Sequence, residues 1–240
     1  MAKKVRPKWI DEGDGAEAKR VIPNEGDHLD PFVLFDEYHV DPSASFPMHP
    51  HGGFEGFQFL MAGRTEYNDN LGNRGLIGKG EVRRFVAGPG FKHSEYPRSE
   101  ETVRGYLVWL KLPQVSREEP TYFEELHGDE VMTVEDDTAT TTTIFGEGSP
   151  LETHTPAVFK HYIFRRDHVM KFDITTGWNG LVYVSSGEVN ACGLQLGDGE
   201  GAVFEPGEVC ELVIKAPVEM VLLRGRMLEE DIVQEGHFVR

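Results

Sequence analysis

The sequence predicts an all-β chain of many short antiparallel strands, and three observations carry that prediction. Short segments of alternating apolar and polar residues recur along the 240 residues. The chain's 27 glycines and 14 prolines supply turns between them, and no segment shows a long helical period.

In order along the chain, MAKKVRPKWIDEGDGAEAKR opens with charge and has no apolar run behind it, so no secretory signal is expected. Lys3-Lys4-Val5-Arg6 within it reads as a solvated tail. The segments GFQFLMAG, EVRRFVAG, VRGYLVWLKL, HYIFRR, GLVYVSSGEV, GAVFEPG, CELVIKA and EMVLLRGRML read as strands. Turn formers separate them, among them Asn70-Leu71-Gly72-Asn73, Gly88-Pro89-Gly90 and Gly197-Asp198-Gly199. One short helix is expected near SREEPTYFEELH, where acidic residues suit a helix start and Pro120 limits its length.

The strand and turn rhythm of the first half returns in the second, as two copies of one β-barrel module would require. The division falls into residues 1–127 and 128–240, joined by the polar stretch HGDEVMTVEDDTATTTTIFGEGSPLETHTP. Its TATTTTIFG portion is also compatible with a strand, because threonine favours extended backbone. An undivided β-sandwich is the alternative architecture.

Composition excludes some partners. With 41 acidic against 24 basic residues the formal net charge is −17, which disfavours nucleic acid and anionic membranes. No stretch is long and apolar enough to span a bilayer. Cys192 and Cys210 have no CxxC spacing and no histidines around them, so they read as reduced, buried thiols in a cytoplasmic protein.

Chemistry enters at FPMHPHGGFEGFQFLMAGR and at GFKHSEYP. Residues i and i+2 of a strand share a face, so His49 and His51 can aim both imidazoles at one point. His93 and Glu95 have the same spacing. A single HxH pair is equally explained by a polar loop; two pairs facing one another across a small barrel give three imidazoles and a carboxylate around one cavity. Such a set suits Fe(II), Mn, Ni, Cu or Zn and leaves positions for water or substrate. Glu55, four residues beyond His51, is read as a partner behind the ligands, because the other four already complete a set. His28, His39, His127, His154, His161, His168 and His237 are scattered and read as surface or hydrogen-bonded residues.

HPHGGFE followed by GKGEVRRFVAGPGFKHSE resembles the two motifs of the cupin superfamily, and more specifically pirin and the pirin-like bicupins. LDPFVLFDEYHVDP, YLVWLKLP with EPTYFEEL, THTPAVFKHYIF and WNGLVYVSSGEV extend the likeness from about Arg20 to about Leu228. The resemblance implies two tandem jelly-roll barrels with few short helices, the first holding one metal, usually iron, through His49, His51, His93 and Glu95. It also implies a metal-free second barrel, and Tyr183 to Glu188 and Glu205 to Glu208 contain no histidine. Two departures stand out: Gly52 where many pirins carry arginine, and Leu107 where glutamine is common.

Several pirin-like proteins are similar to quercetin 2,3-dioxygenases. The resemblance therefore implies an oxygenase acting with dioxygen on a flavonol-like or other enolic aromatic substrate, with Glu95 as ligand and catalytic base. Phe46, Phe54, Phe57, Phe59, Phe85 and Phe91 are available either to line an apolar pocket or to pack the barrel core. Other pirins resemble iron-dependent regulators, so the competing expectation is a non-enzymatic redox sensor that binds a protein partner.

Overall fold

The computed structural model describes residues 2–13, 15–22 and 28–240. Among these the regular structure is β throughout, apart from the 3-10 turns Gln114–Ser116 and Gly128–Glu130. Among the described residues no helix is long and apolar enough to cross a membrane. Two compact units form, and they are not simply the two halves of the sequence: one comprises Lys8–Glu130 with Leu228–Arg240, the other Met1–Pro7 with Val131–Met227.

The first unit contains a seven-stranded antiparallel sheet in the order Tyr122–Leu126, Val82–Val86, Phe54–Ala62, Val103–Lys111, Phe32–Val40, Ala16–Ile22, Trp9–Gly13. A four-stranded sheet runs Phe46–His51, Phe91–Pro97, Arg64–Asp69, Arg74–Gly78. Phe54–Ala62 is buried along almost its whole length, as a central strand covered on both faces must be. Val33, Leu34, Phe54, Phe85, Phe91 and Trp109 form one apolar cluster, and Leu60, Ile77 and Val103 belong to another.

The second unit is a nine-stranded antiparallel sheet built around Trp178–Ala191 and Val209–Arg226. Alternate residues of these strands, including Val182, Val184, Leu212, Ile214 and Met220, meet in its core, which follows from the two-residue side-chain period.

Three local expectations are corrected. The segment near SREEPTYFEELH forms a 3-10 turn and then the strand Tyr122–Leu126, because Glu124 and Glu125 pair in register with Arg84 and Arg83. Opposite charges directly across a ladder stabilise it, and tertiary pairing overrides local helix preference. Lys3–Val5 is no loose tail: it adds a strand to Glu200–Phe204, with Arg6 3.0 Å from Glu200. Cys192 and Cys210 are disulfide-bonded, their Cα atoms 5.3 Å apart. The hairpin register that sets Ala191 opposite Leu212 brings them together, and it cannot be inferred from cysteine spacing. TATTTTIFG, left open between connector and strand, supplies the strand Ala139–Phe145.

Candidate metal centre

The strands Phe46–His51 and Phe91–Pro97 run antiparallel with His49 opposite His93 and His51 opposite Phe91. The two-residue period puts His49 and His51 on one face, so all three imidazoles turn to the same side. His51 Nε2 lies 2.8 Å from His93 Nε2, and His93 Nε2 lies 3.0 Å from His49 Nε2. At metal–nitrogen bonds of about 2.1 Å, neighbouring donors at right angles stand about 3.0 Å apart. Both spacings match those of neighbouring donors on one ion.

The donor chemistry fits as well. His49 Nδ1–H donates to the Pro47 carbonyl at 2.8 Å, which leaves the Nε2 lone pair directed at the cluster. Burial first, and then the charge of neighbouring histidines and Arg83, holds His51 and His93 well below the usual imidazole range. Both are thus neutral at neutral pH, the form that binds a cation.

Glu95 lines the same cavity, and its carboxylate lies 3.5 Å from Nη1 of the fully buried Arg83. The Arg83 guanidinium in turn stacks 3.4 Å above the Tyr67 ring. A further histidine lies beside this cluster: His49, His51 and His237 offer donors within 4.8 Å of one another. His237 is exposed, as a surface histidine should be, and it also stands next to His49 and His51. It sits on a tight turn at the end of the chain, at no fixed spacing from the other three, so periodicity has no means of finding it.

Glu55 is displaced from the site. It is wholly buried and paired to Arg84, whose Nε donates to its carboxylate at 2.6 Å. Gly53, at φ +82°, turns the chain between Phe46–His51 and Phe54–Ala62, so counting onward from His51 does not stay on one face.

The imidazoles stand at a cavity of about 540 Å³, inside the range of roughly 300–1,000 Å³ common for small-molecule sites. Phe46, Phe85, Leu34, Leu107 and Trp109 supply apolar wall, while Gln58, Tyr38, Asp36 and Arg20 supply polar wall. Leu107, one of the departures noted above, is thus a lining residue. Phe54, Phe85 and Phe91 surround the His51 ring at centroid distances of 5.5, 5.7 and 5.7 Å. Phe57 and Phe59 are buried and are not among the lining residues. Gln58 Nε2 donates to the Tyr38 hydroxyl at 3.0 Å. Burial, and then the Glu95 charge, raises the Tyr38 pKa, so the phenol keeps its proton. Burial pushes Asp36 up to about 6 against the pull of Arg20.

Two antiparallel units in tandem, one with an imidazole cluster at an aromatic cavity, define a bicupin of the jelly-roll class. Sequence comparison assigns the particular family. Residues 15–110 match the family model described as Pirin, and residues 163–240 match the Pirin C-terminal cupin domain. A pirin-like protein of Solanum lycopersicum is 34% identical over 251 residues, spanning 100% of this chain and 86% of that one. The chain belongs to the pirin family. Among solved structures, a quercetin 2,3-dioxygenase from Acinetobacter baumannii superposes with a TM-score of 0.88 at 23% identity, covering 100% of this chain and 83% of that one. A bacterial pirin from Escherichia coli in complex with nickel(II) superposes at 0.80 with 18% identity, covering 95% and 99%. At these identities the two structures speak to the fold.

Proposed function

We propose that the chain is a metal-dependent dioxygenase for a flat, enolic aromatic substrate of the flavonol type. Its metal is one divalent ion, Fe(II) ahead of Mn, Ni, Cu or Zn, held by His49, His51, His93 and Glu95. The observation that carries the proposal is the convergence of three Nε2 atoms at the wall of an aromatic cavity. Membership of the pirin family supports it, as does the likeness in fold to a protein named for quercetin cleavage. The metal belongs to the unit made of Lys8–Glu130 with Leu228–Arg240, which contains most of the expected domain 1–127, and the other unit, Met1–Pro7 with Val131–Met227, is proposed to be metal-free. Cytoplasmic location belongs to this proposal too, though the Cys192–Cys210 bond removes the thiol argument for it.

When bound, the ion supplies Lewis acidity and redox capacity toward dioxygen. Phe46, Phe85, Leu107 and Trp109 receive the flat ring and exclude water from it. The Glu95 carboxylate takes the enol proton, with Arg83 3.5 Å away to balance its charge in the resting site. Tyr38 stays protonated, and Gln58 fixes its hydroxyl as a hydrogen-bond donor to a substrate oxygen.

Metal-reconstituted protein should consume quercetin in air, followed by loss of its absorbance, and His51→Ala and Glu95→Ala should each stop the reaction. If metal-loaded wild type leaves the flavonol untouched, the catalytic proposal fails. The redox-sensing regulator then takes its place, and its test is whether a partner protein binds the ferrous and ferric forms with different affinity.

A further inference from the structure

The last residues of the chain are built into the wall of the candidate centre. Gln234–Glu235 and Phe238–Val239 pair as a two-stranded hairpin whose tip is Gly236-His237. Glu230 anchors its base, 2.7 Å from Arg117, and the Asp231 carbonyl accepts from Lys111. Its end docks on the glycine pair that follows His51. The Gly52 N–H donates to the His237 carbonyl at 3.2 Å, the Val239 N–H donates back to Gly52 at 2.9 Å, and Phe238 bridges Gly52 in parallel. Val239 is buried in the apolar cluster containing Phe54, Phe91 and Trp109.

That docking requires glycine. A Cβ at position 52 would stand 2.8 Å from the Phe238 ring, and one at 53 would stand 1.8 Å from the Val239 carbonyl oxygen. The outcome is placement: the His237 ring centroid lies 5.1 Å from that of His51 and 5.4 Å from that of His49.

We propose that His237 is an additional ligand of the metal, delivered by a C-terminal hairpin that the absence of a side chain at Gly52 admits. This rests on the reading of His49, His51 and His93 as a metal site. The open side of the ion is then partly occupied by a residue of the chain's own end, so the hairpin and the metal stabilise each other's position. Substituting Gly52 and substituting His237 should have the same consequence, although position 52 has no ligating group of its own.

The test uses the full-length protein loaded with Co(II), reading affinity by chelator competition and coordination by the visible ligand-field spectrum. Wild type, His237→Ala and Gly52→Arg should each bind about one ion. Both variants should bind it about 10- to 100-fold more weakly and share an altered spectrum. Unchanged affinity and spectrum in His237→Ala would overturn the proposal while leaving the three-histidine site standing. Failure of wild type to bind Co(II) would overturn both. Should Gly52→Arg fold poorly, His237→Ala decides alone, because its side chain lies on an exposed turn.

Discussion

Alanine at His51 or at His93 is expected to weaken divalent-metal binding about 100-fold. A four-ligand site worth about 12 kcal/mol loses roughly 3 kcal/mol with one donor, which is about two orders of magnitude in affinity. Both imidazoles are buried in the wall of the cavity, so each holds its donor in a fixed place that alanine cannot supply. His127 is the control. It faces Glu81 and Glu125 on the surface, away from the cavity, and His127→Ala should leave affinity unchanged. Competition against a calibrated chelator measures all three variants, and equal affinities across them would remove the imidazole cluster from metal binding.

Arg84→Ala should destabilise the protein by about 3–5 kcal/mol, the usual penalty when one member of a buried ion pair is removed. Glu55 is fully buried on the central strand Phe54–Ala62, and Arg84 reaches it from the neighbouring Val82–Val86 strand. Without the guanidinium the carboxylate keeps its desolvation cost and loses the charge opposite. Glu124, directly across the ladder from Arg84, loses its partner as well, but it lies at the surface and adds little. A fall in denaturant midpoint at constant m-value checks the prediction. Glu55→Gln combined with Arg84→Met should recover much of the loss, since no unpaired charge is then left inside. Equal instability of the single and double variants would show that packing, and not charge, dominates.

The features the sequence displays best are those with a short period. Short apolar strands are visible in Phe54–Ala62 and Val103–Lys111, and the i, i+2 spacing pairs His49 with His51 and His93 with Glu95. What escapes it depends on register and on chain ends. Glu55 reads as a partner behind the ligands because four other residues complete a set, whereas the turn at Gly53 transfers the chain to another sheet, where Glu55 pairs with Arg84. The acidic residues of SREEPTYFEELH suit a helix start, but Glu124 and Glu125 pair with Arg84 and Arg83 across the ladder instead. Lys3–Val5 acquires its strand from Glu200–Phe204, nearly two hundred residues away, and no local pattern encodes that partner. His237 is the sharpest instance, since only the docking of the hairpin on Gly52 brings it to the other histidines. Gly52 itself was noticeable as a departure from the family pattern, and its physical meaning, room for Phe238, required the fold.

Metal content of the purified, iron-supplemented chain tests the central claim most directly. Elemental analysis should find about one iron-group ion per chain, removable by a chelator and restored on adding Fe(II). A value near zero after supplementation would contradict the assignment of His49, His51 and His93 to a metal centre.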